Sequence, residues 1–193
     1  MSAQQAPHDE WLAQGLQALR ARPIETLRAQ LTTCCGAARW VDRMLARHPF
    51  ADVSTMLRDA ESIWWDLDES DWLQAFAAHP KIGDVESIRR KYAAQATWSL
   101  QEQTGVRGAS EAVLQGLAAG NAAYEAKFGF IFLVCATGKS AAELLAILTA
   151  RLPADRASEL RVAAGEQARI TALRLRKWLT EAAQATETGD PSR

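Results

Sequence analysis

The stretch DRASELRVAAGEQARITALRLRKWLTEAA, residues 155–183, decides how the rest of the chain is read. Its apolar residues recur at helical spacing, and the pattern predicts one long helix from about Asp155 to about Ala183. At about 100° per residue, Leu160, Ala164, Gln167, Ile170, Arg174 and Trp178 fall on roughly one face. Arg174 is thereby expected to turn inward with the apolar residues, and Arg169 and Arg176 outward to solvent. An inward guanidinium is costly unless something anionic meets it. Two readings stand. Arg174 pairs with a core carboxylate or snorkels out at the edge of a bundle. Alternatively, its planar fork of donors meets a ligand carboxylate or a ureide.

Working back from that helix, alanine and leucine dominate, and glycine and proline are sparse within the periodic segments. Ile24, Leu27 and Leu31 follow Pro23, which suits a first helical position. Trp40, Val41, Met44 and Leu45 form the stripe of a further helix that ends near His48-Pro49. Ser54 is expected to cap the next, with Met56, Leu57, Ala60, Ile63 and Trp64 on its inner face. Trp72, Leu73 and Phe76 mark a short helix before His79, and Val85, Ile88 and Tyr92 another after it. Ser110 is expected to cap a helix bearing Val113, Leu114, Leu117, Asn121 and Tyr124.

In FGFIFLVCATG (128–138) the pattern changes to aromatic and β-branched residues, which suit either a buried strand or an extended core segment. Ser140 with Glu143 then reads as a capping box. The expectation is an all-α fold: a single compact irregular helical bundle of about eight to nine helices. It is expected to occupy residues 9–183, with flexible tails at 1–8 and 184–193.

The composition sets limits on function. The 193 residues carry a formal net charge of −1, so nothing in the charge balance argues for nucleic acid or an anionic membrane. No apolar run approaches the roughly 20 residues that span a bilayer. The first ten residues do not read as a secretory leader, and the terminal PSR is no peroxisomal tripeptide. Cys34, Cys35 and Cys135 give neither a disulfide framework nor zinc spacing, which suits a reducing, cytoplasmic setting. Walker loop, dinucleotide glycine pattern, metal-ligand cluster and Gly-x-Ser-x-Gly elbow are all missing from the sequence. An enzyme of this composition is expected to work without cofactor or metal, by acid–base chemistry and electrostatics.

Two stretches carry polar groups suited to such chemistry. In AFAAHPKIGD (75–84), Pro80 disfavours helical geometry at His79, so the helix ends and the imidazole leaves the stack. His79 then either caps carbonyls at a helix C-terminus or acts in a site. His48-Pro49 has the same local pattern, so the dipeptide alone does not decide. In SLQEQ (99–103), Ser99 and Glu102 have capping-box spacing and could equally present a carboxylate and an amide beside His79.

Taken together and in order, several segments change the balance. They are HPKIGDVESIRRKYA (79–93), S-x-x-E-Q (99–103), N-x-x-Y-x-x-K-F-G-F-x-F-x-x-C-A (121–136), E-L-x-x-A (159–163) and I-x-x-L-R-L (170–175). The set resembles the family of 2-oxo-4-hydroxy-4-carboxy-5-ureidoimidazoline (OHCU) decarboxylases over roughly residues 23–180. The resemblance implies a cofactor-free, homodimeric, all-helical enzyme that releases CO2 and forms (S)-allantoin at the end of the route from urate. It implies His79, Glu102 and Arg174 as catalytic residues, with Arg151 a rival for the arginine. It further implies Pro80 against the substrate, Ser99, Leu100, Gln101, Glu102 and Gln103 along its ring and ureido group, and main-chain bonds from Phe132, Leu133, Val134, Cys135 and Ala136. The competing reading is a catalytically inactive helical module that binds a ureide or carboxylate.

Overall fold

A computed structural model of the chain describes residues 5–79 and 103–188, which carry eight helices and no strand. In chain order these are α1 (Gln5–Leu19), α2 (Ile24–Cys34), α3 (Ala38–Leu45), α4 (Val53–Trp65), α5 (Glu69–Ala77), α6 (Gln103–Phe128), α7 (Ala141–Arg151) and α8 (Arg156–Thr188). The expected helix around Val85 to Tyr92 and the expected cap at Ser99 lie outside the described residues. The fold is all-α, and the long helix extends to Thr188, beyond the turn where its apolar pattern fades.

The chain divides into two units, Met1–Ala78 with Gln167–Arg193, and His79–Glu166, and α8 contributes to both. In the first unit Trp40, Trp64, Trp72 and Phe76 of α3, α4 and α5 are buried, and the indole N–H groups of Trp40 and Trp72 find partners. Trp40 and Trp64 are almost fully enclosed. The Trp40 indole N–H donates to the Ala60 carbonyl at 2.9 Å and that of Trp72 to the Trp64 carbonyl at 3.0 Å. Each ring thus adds apolar area without leaving a buried donor unmet. At Gly15 of α1, an added Cβ would lie 1.9 Å from the Leu179 carbonyl oxygen, so only glycine lets the α1 and α8 backbones come this close.

Helix starts differ from the sequence reading at three places. Asp52, not Ser54, caps α4: its carboxylate accepts the Thr55 N–H at 2.7 Å and the Ser54 hydroxyl at 2.6 Å. Those bonds favour the charged form and lower the Asp52 pKa to about 2, with the Ser54 contact the largest contributor. Pro23 stands at the N-cap of α2 with ψ 143°, one position before the helix, and its carbonyl accepts the Leu27 N–H. Ser110 lies inside α6, which begins seven residues earlier at Gln103. The capping box of α7 is as expected: Ser140 accepts the Glu143 N–H at 3.3 Å, and the Glu143 carboxylate accepts the Ser140 N–H at 2.7 Å.

In the second unit, α6 and α7 pack where α6 is thinnest: Cβ atoms added at Gly116 and Gly120 would meet Leu145 at 3.0 Å and Leu148 at 2.5 Å. The α6 helix ends at Gly129, whose φ of +78° suits glycine and whose N–H bonds the Glu125 carbonyl at 2.9 Å. From there to Gly138, at φ +75°, the chain is non-helical and joins no sheet among the described residues. Its burial alternates: Leu133 and Cys135 are buried, while Phe132, Val134 and Ala136 are half-buried. That period of two is the mark of extended backbone, so the extended core segment is the reading that holds.

Candidate active site

His79 follows the last turn of α5. Ala78 is the C-cap, with helical φ/ψ of −75° and −9°, and its N–H still reaches the Gln74 carbonyl at 3.3 Å. The imidazole therefore leaves the chain just past the helix end and is half-buried. Pro80, Ser99, Leu100, Gln101 and Glu102 lie outside the described residues, and Gln103 is described as the first backbone position of α6.

Arg174 belongs to the first unit, where α8 lies along the end of α2. The buried stripe of α8 runs through Leu160, Ala164, Gln167, Thr171, Leu175 and Trp178, and Arg174 and Ile170 are half-buried at its margin. No glycine terminates α2; the chain continues into Cys35 in extended geometry, φ −145° and ψ 121°. Its last carbonyls are met instead by side chains of α8. Arg174 Nη1 donates to the carbonyls of Thr33 at 3.0 Å and Cys34 at 3.3 Å, and the Thr171 hydroxyl to that of Cys34 at 3.5 Å. A cation is favourable there because the helix C-terminus carries partial negative charge. The arginine is thus neither deep in the core nor paired with a core carboxylate through Nη1. Its bonds from that nitrogen serve helix capping, which the face arithmetic of α8 alone did not reveal.

Beside it, burial pushes the Cys34 thiol up to about 12 and the Cys35 thiol up to about 11, with Arg174 a smaller opposing influence on both. Both thiols stay protonated, and neither is a nucleophile at neutral pH.

Arg151 has a different role. Its side chain is 11% exposed and that of Glu159 1%. Nε donates to Glu159 Oε1 at 2.7 Å and Nη2 to the same oxygen. Nη2 also reaches the Tyr124 hydroxyl at 3.2 Å, and Nη1 donates to the Leu133 carbonyl at 2.9 Å. The guanidinium lies 4.9 Å from the Phe132 ring centroid. Tyr124 in turn donates to Glu159. Burial, followed by that bond to Glu159, raises the tyrosine pKa well above its ordinary value, so the hydroxyl remains a donor. All three nitrogens of Arg151 are engaged by this buried network.

Of the five positions expected to offer main-chain bonds, three have main-chain groups held by the protein itself. The Leu133 carbonyl accepts from Arg151. The Cys135 N–H donates to Glu166 Oε2 at 2.8 Å, and its carbonyl accepts from Lys139 Nζ at 2.9 Å. The Ala136 carbonyl takes the Lys139 N–H at 3.1 Å, closing the turn before α7. Among the described residues, the main-chain groups of Phe132 and Val134 meet no hydrogen-bond partner. Glu159, Glu166 and Lys139 were not singled out from the sequence. The one signal was Glu159 inside the E-L-x-x-A motif, and its burial depends on Arg151 across a turn.

Comparison with known proteins places this architecture among helical proteins of urate breakdown. The chain resembles a solved OHCU decarboxylase, crystallised in the presence of (S)-allantoin, at 36% identity and a TM-score of 0.62, covering 77% of this chain and 96% of that one. The fold is shared with a solved (S)-allantoin synthase at 19% identity and a TM-score of 0.61, covering 84% and 53% of the two chains. The family model described as OHCU decarboxylase matches residues 20–176, and the chain belongs to that family.

Two curated relatives are bifunctional proteins of uric acid degradation. TTL of Arabidopsis thaliana is 35% identical over 162 residues, covering 82% of this chain and 49% of that protein. PucL of Bacillus subtilis is 26% identical over 164 residues, covering 84% and 32%. The chain therefore spans about half the length of the first and a third of the second.

Proposed function

We propose that this chain decarboxylates 2-oxo-4-hydroxy-4-carboxy-5-ureidoimidazoline to (S)-allantoin and CO2, the closing step of urate breakdown. The observation that carries the reading is the likeness, over 96% of its length, to an OHCU decarboxylase crystallised with (S)-allantoin. In the reaction the bond between a ring carbon and its carboxylate breaks, and the electron pair passes into the adjacent carbon–nitrogen double bond. The hydroxyl-bearing carbon becomes a carbonyl, the ureido-bearing carbon takes a proton on one face, and one proton is taken up overall.

His79 is the proposed proton donor, since an imidazole titrates near neutrality and a positioned acid contributes about 10²–10⁴-fold. Glu102 orients the imidazole and supports its charged form. Arg174 holds an anionic or ureide oxygen of the substrate. It is preferred to Arg151, whose three nitrogens already serve Glu159, Tyr124 and the Leu133 carbonyl. The main chain around Phe132 to Ala136 offers amide groups that match a ureide. Residues 9–183 carry the activity, in a cytoplasmic homodimer; buried unpaired cysteines suit a reducing compartment.

The test is turnover of freshly prepared substrate, with the optical activity of the product followed by circular dichroism. Wild-type protein should yield (S)-allantoin, and His79→Ala should lose this while keeping its helical far-UV spectrum. Wild-type decarboxylation by His79→Ala would remove the histidine from the mechanism, and binding without turnover by the wild type would mark a binding module instead. A truncated 9–183 chain should retain activity and elute from size exclusion as a dimer.

A further inference from the structure

The alternation in residues 132–136 separates two edges of one extended segment. In extended backbone the N–H and C=O of one residue share an edge, and those of the next point the opposite way. Leu133 and Cys135, two apart, have their polar groups on the edge that Arg151, Glu166 and Lys139 occupy. Phe132 and Val134 present theirs on the other. Glu166 stands about two turns of α8 beyond Glu159 and its neighbour Leu160, and Lys139 at the turn before α7, so the segment is gripped from α8 and from that turn.

We propose that Glu166 and Lys139 are positioning residues for the decarboxylase reaction: by closing on the N–H and C=O of Cys135 they hold the opposite main-chain edge, at Phe132 and Val134, ready for the ureido group. This rests on the proposed activity. A ureide carries donors and acceptors spaced like those of a peptide, so an extended edge can meet it as it would a neighbouring strand. Without the clamp, only a fraction of molecules would present that edge, and apparent affinity would fall by that fraction. The loss would be felt equally in ground state and transition state, so KM should rise with little change in kcat.

The experiment compares full-length wild type, Glu166→Ala, Glu166→Gln and Lys139→Met in steady-state turnover, with amide hydrogen exchange read at Cys135. Glu166→Ala should raise KM by about tenfold or more, hold kcat within about threefold, and speed exchange at Cys135, since a bond to a charged group is lost. Glu166→Gln keeps an acceptor oxygen and should recover most of the KM. Lys139→Met should move KM the same way, and it decides the matter if Glu166→Ala fails to fold. Faster exchange with unchanged KM would overturn the positioning role, as would an equal loss in the Gln and Ala variants. Absence of turnover in the wild type would overturn the activity itself, and the inference with it, before any variant is compared.

Discussion

Arg151 on α7 and Glu159 on α8 form an almost fully enclosed ion pair, with the same arginine reaching the Leu133 carbonyl at 2.9 Å. One side chain thus ties two helices to the extended segment. Removing a single partner of a buried pair leaves an uncompensated charge and typically costs about 3–5 kcal/mol. Arg151→Met is expected to lower unfolding free energy by that order, measured by urea denaturation, because it strands the Glu159 carboxylate. The double variant Arg151→Met with Glu159→Gln should recover much of the loss. Additive losses in the pair would show that the two residues do not depend on one another.

Stability should also fall at alkaline pH through the adjacent thiols. Burial raises Cys34 to about 12 and Cys35 to about 11 from an ordinary value of 9.0. The unfolded chain therefore loses these protons first as pH rises. The stabilisation is complete below pH about 9, declines above it, and is gone once the folded-state values of about 11 and about 12 are passed. The decline should reach a few kcal/mol, since each tenfold difference in proton affinity between the folded and unfolded chain is worth about 1.4 kcal/mol. Urea midpoints from pH 8 to 11 check it: the slope should be shallower in Cys34→Ala, and an unchanged slope would show that other groups cause the decline.

Much of this fold is legible in the sequence because helical periodicity is a local signal. The stripes Trp40–Val41–Met44 and Trp72–Phe76 are buried as their spacing requires. The Ser140–Glu143 box is a pattern four residues long and forms where expected. Other features depend on geometry that a sequence does not carry. Asp52 and Ser54 are both good cap formers, and the choice between them was set by backbone angles. Asp52 adopts φ −152° and ψ 171°, which brings its carboxylate onto Thr55. Arg174 lies on the expected side of α8 but at its margin, because it meets α2 carbonyls that are 140 residues distant in sequence. The clamp on Cys135 was not legible, since Glu166 reads as one more polar residue on a helix until the extended segment is seen against it.

At Gly15 the close approach of α1 to the Leu179 carbonyl leaves no room for a side chain. Gly15→Ala gains helix propensity of up to about 1 kcal/mol, so an exposed site would be stabilised. Here the added carbon would sit 1.9 Å from a backbone oxygen, which cannot turn aside as a side chain can. Separating the helices should outweigh the gain, for a net loss of about 1–3 kcal/mol. Thermal denaturation decides: a raised Tm would show that the two helices part at little expense.

Arg174 has two proposed tasks, and they make different demands on the side chain. As a cap for α2 it needs a cation near the carbonyls of Thr33 and Cys34, which lysine can supply. As a substrate ligand it needs the planar fork, which lysine lacks. Arg174→Lys should therefore shift stability by less than about 2 kcal/mol, since that is the most a partly buried charge at a helix end contributes and lysine keeps the charge. The same variant should lower kcat/KM by about tenfold or more, the loss of one charge-assisted hydrogen bond. Arg174→Met should lose both functions. If Arg174→Lys keeps full kcat/KM, capping is the whole of the residue's work, and the substrate's oxygen must be met by another group.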